Sequence, residues 1–344
     1  MKKIALLLPF LALFGCGSEP KTEVETIPQV VNIYSHRHYD IDQSLFDKFK
    51  AETGISVNVV KAGADELLVR LEQEGANSPA DLLITSDAGR LARAAEKGFL
   101  QTMNSAVVNE QVPSYLRDAN DLWTGLTMRA RVIVCSKDRV PQGSVQNYAD
   151  LAKAEWKGKV LCRSSDNLYN QSLLAAMIAN VGDSAATIWA KSVRENMARN
   201  PKGNDRDQVM AIAAGEGDVA IVNTYYLGLL FNSENTEEVE AANQVYVVFP
   251  DQSGNGTHVN ISGAGLLKNA PNKENAIKLV EFLLNEESQR AYADANYEYP
   301  VRKGVKASEL LISWGDFKQD ELNLSLLGTN NPKAVEAFQK AGWE

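Results

Sequence analysis

The sequence predicts an α/β protein with two lobes and a ligand cleft between them. Its 344 residues are too many for one small core and suit two compact units of roughly 100–200 residues each. Short runs rich in β-branched residues alternate with longer amphipathic runs, which is typical of α/β folds. Hydrophobic residues make up 44% and charged residues 23% of the chain, which disfavours disordered, collagen-like and coiled-coil proteins.

Charge and cysteine content narrow the function classes. With 35 basic and 44 acidic residues the net charge is −9, so the chain lacks the basic footprint of a nucleic-acid-binding protein. Only three cysteines and three histidines occur, without Cys-x-x-Cys or zinc-finger spacing, and a thiolate metal site is not expected. Cys135 and Cys162 lie in apolar strand-like runs, which favours buried free thiols over a disulfide between them.

Residues 1–16 are interpreted as an export signal. A positively charged start precedes an eleven-residue apolar run, which spans about 16 Å as a helix and is too short for a permanent membrane anchor. The run ends in Leu-Phe-Gly-Cys, which resembles a bacterial lipobox. This implies lipidation of Cys16 as the first mature residue, with 17–28 as a flexible tether. Cleavage of an ordinary signal peptide is the alternative.

The first lobe begins with three strand–helix pairs. The first helix carries Leu45, Phe46 and Phe49 at helical spacing and ends at Gly54, a residue that favours helix ends. This alternation predicts a parallel sheet with right-handed crossovers. The predicted strands and helices, in chain order, are 30–34, 42–53, 55–60, 64–74, 80–85 and 89–98.

The chain is predicted to cross between the lobes twice. The apolar run 123–136 carries it into the second lobe, and strands at 245–249 and 263–267 return it to the first. Two crossings place a ligand cleft at the hinge. The second lobe is predicted to contain strands at 159–163 and 218–224 and helices at 170–181, 185–198 and 206–214, and further helices follow at 273–284, 287–296 and 332–341.

The predicted lobes are discontinuous in sequence. The first comprises 29–131 and about 250–298, and the second comprises 132–249 and about 299–344. Each lobe therefore depends on chain segments from both sides of the hinge.

Tyrosines follow the carboxyl ends of three predicted strands. Tyr39 follows the first strand, Tyr169 follows strand 159–163, and Tyr225 and Tyr226 follow strand 218–224. Ligands of open parallel sheets bind beyond these strand ends. Neighbouring side chains point about 100° apart in a regular helix, so Tyr225 and Tyr226 would converge only in an irregular strand-to-helix turn.

A cluster of phenol oxygens suits two chemistries. One is stacking and hydrogen bonding to an organic ligand. The other is a hard trivalent metal ion, because hard cations take oxygen ligands and a bound metal displaces the phenol proton. Three phenolates neutralise such an ion and a fourth leaves one negative charge. Arg37, Arg129 or Arg131 could offset that charge, and His38 could add an imidazole nitrogen.

At these residues the chain resembles the bacterial periplasmic ferric-ion-binding proteins of ABC importers, above all their iron-deficiency-induced branch. The resemblance implies a type II periplasmic-binding-protein fold, in which two Rossmann-like lobes joined by a double-strand hinge close on one Fe(III). It extends from Val30 to Trp343 and is carried, in order, by YSHRHYD, GADELLVRLEQEGANSPADLLIT, LTMRARVIV, RSSDNLYNQSL, PKGNDRDQ, VNTYYLG, GTHVNISGAG and NYEYPV.

The resemblance also implies the site and its partners. A carbonate or water would complete the metal shell, and the monomeric receptor would hand iron to a membrane permease and its ATPase from the periplasm or cell envelope. Relatives tend to carry a basic residue shortly after the tyrosine pair, where this chain has Leu229 and Leu230. The implied ligands are His38, Tyr39, Tyr169, Tyr225 and Tyr226, with Arg129, Arg131, Arg37 and Ser164 as supporting or anion-binding residues.

Alternatives stay open for the function and for several residues. A receptor of the same fold could bind an organic or inorganic anion through Ser164 and Ser165. An enzyme is disfavoured because neither G-x-S-x-G nor H-E-x-x-H occurs. We expect His36 to be a solvated loop residue and His258 to pack and hydrogen-bond at the hinge. Helix capping is expected of Asp65, Glu66 and Asp87, Glu66 could instead support the site, and Asn204 and Asp205 are expected at a cap or the cleft edge.

Overall fold

The computed structural model describes residues 29–343. The strands in this part of the chain are β1 (Val30–Ser35), β2 (Ser56–Lys61), β3 (Leu82–Thr85), β4 (Trp123–Ser136), β5 (Val160–Leu161), β6 (Val219–Asn223), β7 (Val245–Val248), β8 (Val259–Leu266) and β9 (Tyr299–Pro300). The α-helices are α1 (Asp40–Thr53), α2 (Ala64–Glu74), α3 (Ala88–Glu96), α4 (Ala106–Gln111), α5 (Leu168–Val181), α6 (Asp183–Asn196), α7 (Asp205–Ala213), α8 (Thr224–Phe231), α9 (Thr236–Asn243), α10 (Lys273–Leu283), α11 (Glu286–Asn296), α12 (Glu309–Ser313), α13 (Ser325–Thr329) and α14 (Asn331–Ala341).

Two sheets share the long strand β4. The first has the order β2-β1-β3-β8-β4, with β1 parallel to both β2 and β3 and with β8 antiparallel to its neighbours. In the second, β4 pairs antiparallel with β6 and β7, and β6 pairs parallel with β5. The parallel arrangement predicted for the first three strands is confirmed.

Strand β4 connects the two sheets without a break. Its residues from Trp123 to Ala130 pair with β8, and those from Arg131 to Cys135 pair with β6. All of its residues are buried, which fits a strand covered on both faces. Arg129 and Arg131 therefore stand at the junction of the two sheets, beside the carboxyl end of β6.

The helix ends near the site follow local sequence. Tyr39 adopts an extended backbone immediately before α1, and α1 ends at Gly54, whose φ is +75°. Glycine takes this left-handed conformation without the steric cost that a Cβ brings. Helix α5 begins after Asn167, whose side chain accepts a hydrogen bond from the backbone N–H of Tyr169 at 3.0 Å.

Some boundaries differ from those predicted. The strand expected at 159–163 contains only Val160–Leu161, whereas β8 begins four residues before the expected 263. Thr224, expected at the end of a strand, begins α8. Short helices such as α4 and α12 were not predicted, because five or six residues give too little periodicity to identify a helix.

The lobe boundaries stay a prediction, and two contacts bear on where the C-terminal residues pack. Strand β9 pairs with Thr127 and Met128 of β4 in the first sheet, whereas α14 packs against α5 and α6.

Cys135 and Cys162 are buried and free, as favoured from the sequence, and burial raises the pKa of each thiol to about 12.

The predicted signal, its lipidated Cys16 and the tether 17–28 lie outside the described residues. Within residues 29–343, no helix combines the length and the apolar character needed to cross a membrane.

Candidate metal centre

Four tyrosines from three strand ends converge between the two sheets. Tyr39 follows β1, Tyr169 lies in the first turn of α5, and Tyr225 and Tyr226 lie in the first turn of α8. The Tyr225 hydroxyl donates a hydrogen bond to the Tyr169 hydroxyl at 3.1 Å. The Tyr39 and Tyr225 rings meet edge to face with centroids 6.1 Å apart. The predicted cluster therefore forms.

Tyr225 and Tyr226 stay close although they lie in a helix. Their ring centroids are 4.2 Å apart, so convergence does not require the irregular turn considered from the sequence. Tyr225 is almost fully buried, at 1% exposure, whereas Tyr226 is half-buried and faces a cleft of ≈ 510 Å³, within the roughly 300–1,000 Å³ range of ligand sites. That cleft is also lined by His38, Tyr39 and Arg206.

The phenols hold their protons firmly in this setting. Burial raises the pKa of Tyr39, Tyr225 and Tyr226, and the charge that Tyr169 would carry as a phenolate raises all three further. Two neighbouring phenolates repel each other. A cation placed among the oxygens would reverse this balance, because it stabilises each phenolate directly.

Three guanidinium groups surround the Tyr169 ring. The guanidinium carbons of Arg129, Arg163 and Arg131 lie 5.2, 5.8 and 6.0 Å from the ring centroid. Arg131 and Arg163 share the buried carboxylate of Asp205, so much of their charge is compensated. The cluster therefore sits in a positive environment that Asp205 only partly neutralises.

Arg129, unlike Arg131 and Arg163, has no carboxylate partner among residues 29–343. It is 1% exposed, and its Nη2 donates to the backbone carbonyl of Ser86. Its Nε and Nη1 are buried and have no hydrogen-bond partner among residues 29–343. A buried guanidinium with free donors favours negative charge nearby. Arg129 faces the ring of Tyr169, whose oxygen would carry such a charge as a phenolate.

Arg37 packs over the ring of Tyr39. It is buried and forms ion pairs with Asp42 and Glu298, each at 3.1 Å. Its guanidinium carbon lies 4.8 Å from the Tyr39 ring centroid. Because two carboxylates already pair with Arg37, its main effect is to hold the ring in place rather than to supply free charge.

His38 is exposed and stacks on Tyr39 with a centroid distance of 5.1 Å. Its Nδ1 lies 3.4 Å from the backbone carbonyl of His36. Ser164 is half-buried, and its hydroxyl accepts a hydrogen bond from the backbone N–H of Asp166 at 3.1 Å. Its carbonyl accepts from Asn170, which in turn accepts from Arg131. Ser164 is thus connected to Arg131 through the side chain of Asn170.

Other expectations separate into capping roles and corrections. Asp87 and Asn204 cap α3 and α7, and Glu66 accepts from the backbone N–H of Gly63 at 3.4 Å. The expectation for His36 was wrong: it is partly buried, and its Nδ1 lies 2.7 Å from the Ser86 hydroxyl. This burial lowers the pKa of His36. His258 is buried directly before β8, and its backbone carbonyl accepts from the Arg131 N–H at 2.9 Å.

Sequence reasoning missed two members of the site. Arg163 and Asp205 form the ion pair beside Tyr169, yet Arg163 stood only as the first letter of RSSDNLYN and Asp205 only as a cap or cleft-edge residue. Arg163 could have been predicted near the site, because it directly precedes the loop that leads to Tyr169. Within residues 29–343, no group of three or more His, Cys, Asp or Glu is placed to hold a metal ion.

Comparison with known families decides the classification. The model of bacterial extracellular solute-binding proteins matches residues 35–290. The chain belongs to this family. Its members are binding proteins rather than enzymes, and the shared strand β4 with the cleft beside it agrees with their periplasmic-binding-protein fold.

Relatives of this solute-binding protein are named for iron. Iron uptake protein A1 of Synechocystis sp. is 45% identical, covering 96% of this chain and 93% of its own. A Trichodesmium structure titled IdiA (FutA) in complex with iron and citrate ligands is 47% identical, with a TM-score of 0.88 over 92% of this chain and 100% of its own. A ferric binding protein from Campylobacter jejuni is 43% identical, with a TM-score of 0.87 over 91% and 100%.

Proposed function

We propose that this solute-binding protein captures Fe(III) in the cell envelope through a tyrosinate cluster and delivers it to an ABC-type importer. The observation that carries the proposal is the meeting of Tyr39 with Tyr225, and of Tyr225 with Tyr169, beside a buried arginine that has free donors. Oxygen ligands of this kind match a hard trivalent ion. The names of the close relatives support the same cargo.

The charge balance explains the arrangement. Three phenolates neutralise Fe(III), and a fourth adds one negative charge, which Arg129 offsets from within the protein. Arg131 and Arg163 contribute the part of their charge that Asp205 leaves uncompensated. In this proposal Tyr39, Tyr169, Tyr225 and Tyr226 are ligands, and Arg37 holds Tyr39 in position.

The solvent side of the site completes the coordination shell. His38 borders the cleft beside Tyr39 and Tyr226, so its imidazole is a proposed ligand. Carbonate or water would fill the remaining positions, and the citrate bound in the Trichodesmium structure makes a carboxylate anion a third choice. The Ser164 hydroxyl accepts from the Asp166 N–H and keeps its own O–H free to donate to such an anion.

Delivery and anchoring form the second part of the proposal. The receptor would act as a monomer in the periplasm, held to a membrane by a lipid on Cys16, and its partners would be a permease and a cytoplasmic ATPase. Radiolabelled palmitate incorporation tests the anchor: Cys16→Ala should abolish labelling. Uptake of ⁵⁵Fe by cells that lack the receptor tests delivery, and the wild-type gene should restore it, whereas a Tyr225→Phe/Tyr226→Phe gene should not.

A second candidate function is a receptor for an organic or inorganic anion without iron. The free Nε and Nη1 donors of Arg129 favour it. Calorimetric titrations separate the candidates. The iron proposal predicts strong heat with ferric citrate and none with iron-free citrate or phosphate at the same concentration. Equal heats with and without iron would establish the anion receptor instead.

A further inference from the structure

A second cavity lies along α5, away from the tyrosine cluster. Its volume is ≈ 420 Å³, within the roughly 300–1,000 Å³ range of small-molecule sites. It follows the face of α5 that carries Tyr169, beginning one helical turn further along at Leu173 and continuing to Asn180. Helix α6 and the segment 254–258 close its other sides.

The interior of this α5 cavity is mainly apolar. Leu173 and Ala176 of α5 and Trp189 of α6 are buried and line it. Val181, at the end of α5, and Ala185, near the start of α6, are exposed and lie at its rim. The cavity therefore offers an apolar interior with an opening to solvent.

Two carboxylates line the same space. Asp251 and Asp320 have no salt-bridge partner within residues 29–343, and Asp320 accepts a hydrogen bond from Asn180 at 2.6 Å. Burial raises the pKa of Asp251 to about 6, with further contributions from Asp150 and Asp320. Lys318 is the nearby cation, but its ammonium group donates to the Gly254 carbonyl at 2.6 Å. With a pKa of about 6, Asp251 is largely ionised at neutral pH and gives the cavity negative charge.

His258 adds a third polar group. It is 5% exposed and lines the cavity, and no hydrogen bond to its ring occurs among the described residues. Burial, together with the charges of Arg129 and Arg131, lowers its pKa to about 3. The ring is therefore neutral and presents one nitrogen as an acceptor. The ring therefore adds a neutral polar group to the wall of the cavity, where a donor of a bound ligand can reach it.

We propose that the α5 cavity binds a small organic cation, with its ammonium group between Asp251 and Asp320 and its apolar body against Leu173 and Trp189. An organic anion is rejected because it would meet two carboxylates. A bare metal ion is rejected because the interior is apolar and supplies too few oxygens. The proposal rests on this cavity alone and does not depend on the cargo of the tyrosine cluster.

Calorimetry with phenethylammonium chloride tests the proposal, with phenylacetate as the probe of opposite charge. We expect saturable binding of the cation and none of the anion. Asp251→Asn should weaken binding at least tenfold, and asparagine tolerates the left-handed backbone of this position, where φ is +62°. Ala185→Phe should block the opening, whereas the exposed neighbour Ser184→Phe should bind as the wild type does.

Three results would overturn the α5 cavity as a cation site. They are the absence of binding at millimolar phenethylammonium, equal binding of phenylacetate, and wild-type affinity in both Asp251→Asn and Ala185→Phe. Ferric citrate titrations of the same proteins should be unchanged. A failure of the cation site therefore cannot be mistaken for a failure of the iron proposal.

Discussion

Tyr39 from the first sheet meets Tyr225 from the second edge to face, with ring centroids 6.1 Å apart. The two residues are far apart in sequence, and each stands where a buried strand ends and a helix begins. Their contact joins the two halves of the molecule at the proposed iron site. An ion held by both phenols would therefore also hold the two sheets together around the cleft.

Removal of the tyrosine pair should abolish iron binding. In Tyr225→Phe/Tyr226→Phe the site loses two proposed ligands, and we expect the affinity for Fe(III) to fall by orders of magnitude in competition with citrate. A matched double variant, Tyr115→Phe/Tyr246→Phe, removes two partly buried hydroxyls elsewhere and should bind normally. Retention of full affinity by the first variant would remove the pair from the ligand set.

Affinity for Fe(III) should depend steeply on pH. Burial and mutual repulsion raise the pKa of Tyr39, Tyr225 and Tyr226, so each phenol must lose a proton when iron binds. As the pH falls these protons are harder to displace, and these three phenols alone should lower the affinity by about three decades per pH unit. Competition with a chelator of known pH dependence measures this. A constant affinity between pH 8 and 5 contradicts tyrosinate ligation.

Loss of the Arg129 charge should lower the affinity for Fe(III). The guanidinium lies 5.2 Å from the Tyr169 ring centroid, and its positive charge offsets negative charge on the phenolate ligands. Arg129→Met should weaken binding at least about tenfold and move its pH midpoint upward by about one unit. The exposed control Arg290→Met should change neither. A lower affinity with an unmoved midpoint would indicate a purely structural role.

Gly228 should be essential for the packing of α8. A Cβ at this position would lie 2.5 Å from the Cβ of Tyr297, a residue held at a φ of +52° after α11. Gly228→Ala should therefore lower the free energy of unfolding by about 1–3 kcal/mol, as overpacking does. Urea denaturation measures the change. Gly228→Ala/Tyr297→Gly removes the clashing Cβ at 297, where glycine also suits the left-handed backbone, and should recover part of the loss; strictly additive effects of the two substitutions would refute the clash.

The sequence predicted the framework because the framework is local. Strand β1, helix α2 and the order of the first three strands follow from periodicity, Gly54 and the alternation of short and long runs. The tyrosine cluster was also accessible, since the carboxyl ends of strands meet at one edge of a sheet. Its members could be named without knowledge of any distance between them.

Pairings between distant residues were not accessible in this way. Asp205 is a cap-like residue in the sequence, but in the structure its carboxylate pairs with Arg131 and Arg163. His36 was expected in solvent, yet the fold places it against Ser86. Local pattern gives no partner for a buried charge or for a loop imidazole, because that partner is set by tertiary packing.

A visible absorption spectrum tests the tyrosinate site most directly. Phenolate bound to Fe(III) gives a charge-transfer band, so the purified protein should turn red-orange when ferric citrate is added and should lose the colour in Tyr225→Phe/Tyr226→Phe. A protein that stays colourless and shows no Fe(III) binding by calorimetry would contradict the proposal.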